Sequence, residues 1–407
     1  MARVNLAVVV ISIAIGFVLR GVTDVLRFDV DKLVEKIDQK LNHRRSIAES
    51  FSIQPKFVPK NEYQVKRWEL LKDGSVYDTD VLGISEPRID ISGEYKEELH
   101  DLEQELQIKI RTLYRRNDKR RGTEFLLDTY GGERYEVTKP LSPKFQVTYR
   151  KMTDKSIKVR IICPVSNVGD RLKLFVENFI HQNLQYVDLL LVHMQGKGNE
   201  QDHTVKDLTQ KYEGKIKVME IADDFSRGLA LTKGTEKFNE NDLILFLDVD
   251  MDFTSEIINQ CRSNAKQDKR VWFPIVWSQY DPEVIAKGAP PGQKDVVLSK
   301  ITKWTGYWVH YGYGMLCAYK SDFIKVGGFP DIKGWGGEDV AIFKNFVADH
   351  EIEVLHSVEP DLVHRFHKKN CDKNALSHEQ YRMCMGAQAD TIGNKQQLAM
   401  LYLLGRQ

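Results

Sequence analysis

The chain has 407 residues, 42% of them hydrophobic, so a large core can form as one big domain or two smaller ones. Its 59 Lys and Arg balance 58 Asp and Glu to a formal net charge of +1, which argues against a broad basic surface for nucleic acid. The five cysteines (163, 261, 317, 371 and 384) contain no CxxC pair, which argues against a zinc knuckle, and their odd number leaves at least one thiol unpaired within the chain.

At the N-terminus, Val4 to Leu19 is apolar apart from Asn5 and Ser12, and Arg20 closes the run. A helix rising about 1.5 Å per residue falls slightly short of a hydrocarbon core of about 30 Å, and extension through Gly21-Val22-Thr23 lengthens it. The reading adopted is a membrane signal anchor over residues 1–27. The alternative is a cleaved signal peptide, with small residues around Ala14-Ile15-Gly16. Arg3 on one side and Arg20 and Arg27 on the other leave the orientation open. No Asn-x-Ser/Thr sequon occurs. From Phe28 to about Ser46, Val30, Leu33, Val34, Ile37 and Leu41 recur at helical spacing, too briefly for a sustained coiled coil.

Residues 50–93 hold Pro55, Pro59, Gly74, Gly83 and Pro87 and read as a loop-rich linker. Residues 94–116 read as one helix, with Leu99, Leu102, Leu106, Ile110 and Leu113 on one face. Arg115-Arg116 and Lys119-Arg120-Arg121 follow as a solvated basic helix end, with contact to an acidic glycan as the alternative. Residues 28–157 together form a stem and pre-catalytic region in this reading.

Beyond Lys158 the pattern changes. Strands are expected at 159–165, 187–194, 216–221 and 243–247, with helices at 171–182, 205–212 and 229–238 between them. This alternation predicts an α/β domain over 158–407 with a mostly parallel central sheet. Ligands of such sheets sit beyond the carboxyl ends of the strands.

Four segments there carry chemistry. Asp248-Val249-Asp250 follows the apolar strand 243–247, and strand alternation puts both carboxylates on one side. A hard divalent cation bridging to a diphosphate would offset their repulsion, whereas Asp252 is expected to face solvent. His364 and His367 follow the apolar-leaning run 358–363 and can supply further ligands, a mixed set that suits Mn²⁺ better than Ca²⁺. Gly334-Trp335-Gly336-Gly337-Glu338-Asp339 precedes a helical run at 340–347. It offers a general base, a tryptophan to stack on a sugar and a backbone that a ligand can approach; a glycine turn with Asp339 as helix cap is the plainer alternative. In Asp224-Phe225-Ser226-Arg227-Gly228, Arg227 can neutralise phosphate and Phe225 can line a base pocket, or the segment is simply a helix start.

Taken in order, Phe225-Ser226-Arg227-Gly228, Asp248-Val249-Asp250, Gly334 to Val340 and His364-x-x-His367 resemble the chondroitin N-acetylgalactosaminyltransferases, relatives of the β1,4-galactosyltransferases. Further agreement lies in Ser278-Gln279-Tyr280, Tyr311-Gly312-Tyr313-Gly314-Met315, Gly327-Gly328-Phe329 and Glu379-Gln380-Tyr381, and it is dense from about 158 to 404. The resemblance implies a GT-A fold and a divalent-metal-dependent, inverting transfer of GalNAc from UDP-GalNAc to a glucuronic acid hydroxyl in β1,4 linkage, in chondroitin sulfate biosynthesis. By motif matching, Asp250 and His367 are the principal metal ligands and His364 a third, with Mn²⁺ as the ion. Asp339 is the base, with Glu338 beside it holding hydroxyls. Pro164, Val165, Arg171, Phe225, Arg227, Asp248, Val249, Trp335, Gly336 and Gly337 form the nucleotide-sugar set. The implied setting is a single-pass type II Golgi membrane protein with a lumenal catalytic domain. Its acceptor would be a glucuronic-acid-ended glycan or proteoglycan, and chondroitin synthases are candidate associates. In a lumenal domain Cys371 and Cys384 are able to bridge, although sequence does not decide the pairing. Two alternatives stand beside this reading: a non-catalytic accessory subunit of a chondroitin polymerase, and a β1,4-galactosyltransferase using UDP-Gal. The loop 288–292 is expected to set acceptor contacts.

Overall fold

The computed structural model describes Pro59, Asn61 and residues 64–404, except 79–86, 119–121, 141–145, 167–168, 197–202, 289–299 and 335. The anchor, the helix at 28–46, Trp335 and the acceptor loop beyond Gly288 therefore lie outside the described residues. Among the described residues, no helix is long and apolar enough to cross a membrane.

The first half of the chain is mostly strand: β1 (Arg67–Lys72), β2 (Ser75–Tyr77), β3 (Arg88–Asp90), α1 (Gly93–Leu106), β4 (Ile110–Asp118), β5 (Gly122–Thr129), β6 (Glu133–Lys139) and β7 (Gln146–Met152). The expected linker at 50–93 thus contains three strands. The expected helix at 94–116 stops at Leu106, where Gln107 takes a left-handed conformation at φ 55°. Ile110 and Leu113 kept the helical spacing by coincidence, because β4 buries both of its faces: Leu113 packs under α1 with Leu102, while Tyr114 joins the main core. Arg115 and Arg116 are accordingly strand residues held by carboxylates, not a solvated helix end.

The second half alternates as expected. β8 (Val159–Val165), α2 (Asp170–His181), β9 (Val187–Met194), α3 (Thr204–Lys211), β10 (Ile216–Ile221), α4 (Arg227–Thr235) and β11 (Leu243–Phe246) fall close to the ranges read from periodicity. They are followed by β12 (Met251–Phe253), α5 (Ser255–Asn264), β13 (Arg270–Gln279), α6 (Pro282–Gly288), β14 (Gly306–Trp308), β15 (Leu316–Tyr319), α7 (Lys320–Lys325), α8 (Glu338–Ala348), β16 (Glu353–His364), α9 (His378–Asp390) and α10 (Lys395–Leu404).

One sheet runs β10-β9-β8-β11-β15-β13-β16-β1-β4-β5-β6-β7. It is mixed, not mostly parallel. β10, β9, β8 and β11 are parallel neighbours, as are β13, β16 and β1, but β15 is antiparallel to both its neighbours and everything beyond β1 is antiparallel. Two disulfides brace it: Cys261–Cys317 ties α5 to β15, and Cys371–Cys384 ties the segment after β16 to α9. The second is the pair that sequence left open, whereas the first was not anticipated. Cys163 is buried and free.

Candidate functional site

Sheet register assembles the site. β11 ends at Phe246, and the chain turns through Asp248 to Asp250 into the short strand β12. β12 pairs with the end of β16 so that Met251 lies opposite His364, and β13 places Ser278 opposite the same histidine from the other side. The Arg365 amide also donates to the Asp250 carbonyl at 2.9 Å. These ladders bring Asp250, His364 and His367 together, with one ligand atom from each within 4.8 Å of the others.

The local chemistry fits a cation. His367 Nδ1 lies 3.2 Å from the Lys368 carbonyl, which can only accept, so Nδ1 carries the proton. In a neutral ring Nε2 then points its lone pair at Asp250 Oδ2, 2.8 Å away. Two acceptors at that distance need a proton or a metal ion between them. His364 Nε2 is 3.6 Å from the same oxygen, and its Nδ1 is 3.1 Å from Ser278 Oγ. The other Asp250 oxygen is buried and has no hydrogen-bond partner among the described residues. Burial raises the Asp250 carboxyl, but the charges and hydrogen bonds of both histidines outweigh it and hold the group well below its ordinary range.

Asp248 goes the other way. Arg227 Nε donates to both of its oxygens at 2.9 and 3.2 Å. The cation offsetting this carboxylate is therefore a guanidinium. Burial nevertheless pushes the Asp248 carboxyl up, and Asp250 adds to the push against Arg227. Arg227 Nη2 donates to the Gly314 carbonyl at 2.8 Å, and Nη1 lies 3.6 Å from Glu338 Oε1. A Cβ on Gly314 would sit 3.0 Å from Nη2, so the bare backbone there makes room for the guanidinium. Arg227 thus bonds Asp248 and lies beside Glu338, and its buried Nη1 has no hydrogen-bond partner among the described residues.

Glu338 opens α8 and is buried. Burial raises its carboxyl above the usual range, Arg227 opposes the shift and Asp339 adds to it. The helix is capped by Gly337 rather than by Asp339. Gly334, Gly336 and Gly337 have φ of 91°, 85° and 99°, a backbone that side chains with a Cβ seldom adopt. Asp339 accepts from the Val340 amide at 2.8 Å and the Tyr313 amide at 3.1 Å, which fixes its carboxylate.

The remaining predicted residues are scattered around this centre. Pro164 and Val165 end β8, and Arg171 sits in the first turn of α2. Phe225 precedes α4 and is 39% exposed, whereas Val249 is buried in the main core. Asp252, expected in solvent, is paired with Arg365 at 2.9 Å. Ser278, Gly314 and Lys369 were assigned no role from sequence. Burial lowers the Lys369 ammonium while Asp250 and Asp248 pull it back, which places a further cation near the two aspartates.

The chain was also compared with known proteins. The family model described as chondroitin N-acetylgalactosaminyltransferase matches residues 22–398. Mouse chondroitin sulfate synthase 3 is 36% identical over 255 residues, covering 60% of this chain and 28% of that protein. Human chondroitin sulfate N-acetylgalactosaminyltransferase 1 is 33% identical over 304 residues, covering 70% of this chain and 56% of that protein. The chain thus matches little more than half the length of these relatives at most. A solved structure of GalNAc-T7 with UDP, GalNAc and Mn²⁺ aligns at a TM-score of 0.40 and 11% identity, over 58% of this chain and 49% of that one.

Proposed function

Since the chain belongs to the chondroitin N-acetylgalactosaminyltransferase family, we propose that it is an inverting hexosyltransferase of GT-A type, moving GalNAc from UDP-GalNAc in β1,4 linkage to a glucuronic acid hydroxyl of a chondroitin-type glycan. The observation that carries this reading is the union of two clusters: the Asp250, His364 and His367 donor set, and the Asp248–Arg227–Glu338 chain that leads to Asp339.

Asp250, His364 and His367 would hold a divalent cation, for which the mixed donor set suits Mn²⁺. When bound, such an ion supplies positive charge beside the diphosphate. The rest falls to the chain itself. The acceptor oxygen bonds to the anomeric carbon as the bond from that carbon to the UDP oxygen breaks, on the opposite face. The hydroxyl proton goes to Asp339, whose carboxylate is held in place by the two backbone amides. Glu338 orients hydroxyls beside it. Arg227 keeps Asp248 and Glu338 apart and aligned, with Asp248 toward the nucleotide ribose. Pro164, Val165, Arg171, Phe225, Val249, Trp335, Gly336 and Gly337 complete the nucleotide-sugar pocket in this proposal. Residues 1–27 would anchor the chain as a single-pass type II Golgi membrane protein, with residues 158–407 as the lumenal transferase domain.

The test is transfer by the purified chain to a glucuronic-acid-ended oligosaccharide with Mn²⁺, comparing UDP-GalNAc, UDP-GlcNAc and UDP-Gal. Product with UDP-GalNAc alone, abolished by EDTA, is expected. Asp339→Asn should lose about 10²–10⁴-fold in rate while keeping UDP and Mn²⁺ binding. Wild-type rates in that variant would remove Asp339 from the reaction. Transfer only after a chondroitin synthase is added would replace the enzyme by an accessory subunit.

A further inference from the structure

We infer that a cavity at the end of the sheet opposite the candidate transfer site binds the acidic groups of a glycan chain. The cavity has a volume of about 790 Å³ and is framed by the start of β13, the start of β16, the end of α5 and strands β6 and β7. β16 carries Glu353 into it at one end and His364 into the candidate site at the other. Twelve residues of strand put the two roughly 35 Å apart. One molecule of glycan can therefore meet both places only as a chain.

The lining is strongly biased in charge. Eight Lys and Arg side chains face five carboxylates there, although the whole chain is balanced to +1. From outside the lining, Lys325 holds two of those carboxylates, Asp349 and Glu351, while Asp128 and Glu124 hold two of the arginines, Arg134 and Arg116. Arg262 spends its guanidinium on the carbonyls of Ile157 and Gln185 and has no carboxylate within ion-pair range among the described residues. Arg270 is 2% exposed, donates Nε to the Asn264 carbonyl and Nη1 to Glu136, and leaves Nη2 with no acceptor among the described residues. Arg134, also 2% exposed and in the lining, leaves its Nε in the same condition. Glu136 thus serves Arg270 and Lys266 together. Burial, followed by the charge of Arg270, lowers Lys266 to about 8 against the opposing charge of Glu136. At the rim, Lys151 and Lys269 are exposed.

Carboxylate or sulfate groups supply negative charge to the exposed rim lysines and to the buried guanidiniums behind them, and spacing them along a chain matches a rim and a floor that are both basic. That the polyanion is a chondroitin-type glycan rests on the proposed function; that the cavity takes acidic groups does not.

The experiment is calorimetric titration of the full chain with an unsulfated chondroitin hexasaccharide, a sulfated one, inorganic sulfate and a neutral chitin hexasaccharide. Both chondroitin probes should bind the wild type and Asp250→Ala, with affinity falling as salt rises. Binding of the unsulfated probe as tightly as the sulfated one assigns the site to uronate carboxylates; a preference for the sulfated one assigns it to sulfate esters. The double variant Lys151→Glu/Lys269→Glu, which leaves the buried ion pairs intact, should bind both about tenfold more weakly yet transfer to a short acceptor at the wild-type rate. Unchanged affinity in the double variant overturns the inference, as does equally tight binding of the chitin probe or of inorganic sulfate. Loss of binding in the double variant of a chain that transfers nothing would sink the transferase reading and leave the cavity standing.

Discussion

The two halves of the sheet are stabilised in opposite ways. In β8 and β11 nearly every residue is apolar and buried, as expected of strands covered on both faces. In β4, β5 and β6 the buried residues include Arg115, Glu124, Asp128 and Arg134. Arg115 bonds Glu98 at 2.6 Å and Glu69 at 3.0 Å, Arg116 bonds Glu124 at 2.6 Å, and Arg134 bonds Asp128 at 2.9 Å and Asn264 at 2.6 Å. The parallel half keeps its charges for the strand ends, where chemistry is done. The antiparallel half puts them inside the fold, where each must be matched. Glu136 illustrates the match: burial raises it, but Arg270 and Lys266 bring it down to about 2.

The largest effect that tests this contrast is Arg134→Ala. It leaves Asp128, 3% exposed, without Arg134, and Asp128 Oδ1 already lacks a hydrogen bond among the described residues. Breaking a buried pair on one side costs about 3–5 kcal/mol. Replacing both residues by apolar side chains of similar size should cost much less, because no uncompensated charge remains. Urea unfolding of the two variants decides it. A loss below about 1 kcal/mol for Arg134→Ala would mean that these pairs are passive and the contrast is one of appearance only.

A smaller effect comes from the strand ends of the other half. Ser278→Ala removes the hydroxyl beside His364 Nδ1, and with it the constraint on how that ring presents Nε2. Partners of this kind are worth about 10–100-fold in metal affinity. Mn²⁺ titration should show that loss while urea unfolding without metal stays near the wild type. A variant that unfolds more easily but binds Mn²⁺ normally would assign Ser278 to the ladder rather than to the ion.

The same contrast explains what could be read beforehand. Strands at 187–194 and 216–221 were legible to the residue, because Leu189, Leu190, Leu191 and Val192 form an uninterrupted apolar run between turns. Asp250, His364 and His367 were picked out from sequence as candidate ligands, and the structure brings the three together. β1 and β4 were not legible, because Arg67, Glu69, Arg115 and Arg116 interrupt the apolar pattern, and their partners are distant in sequence. The mixed order of the sheet was hidden for a related reason: β15 enters antiparallel after the loop between β14 and β15, and nothing in LCAY states a direction. Arg227 was picked out from sequence, but the contacts it makes were not. Its neighbours Asp248, Gly314 and Glu338 come from three separate segments, and only their convergence shows where its charge is spent.

The smallest effect is read at the seam between the halves. Glu359 on β16 accepts a hydrogen bond from the Tyr114 hydroxyl of β4 at 3.0 Å and is 1% exposed. Burial, with Asp361 adding and Lys72 opposing, pushes its carboxyl from 4.5 up to about 8. The folded chain therefore holds a proton that the unfolded chain has lost between about pH 4.5 and 8. The contribution of this group to stability is full below that window, falls as pH rises through it and is gone above 8. The expected slope is at most about 1.4 kcal/mol per pH unit. Glu359→Gln keeps a neutral, hydrogen-bonding side chain in the same place, so urea unfolding between pH 6 and 8.5 should lose this slope, and the variant should already be the more stable protein at pH 6, by about 2 kcal/mol. Identical slopes in the two proteins would mean that Glu359 is ionised in the fold, with Lys72 as its effective counter-charge. The seam would then be held by an ion pair, like the antiparallel half, instead of by a neutral hydrogen bond.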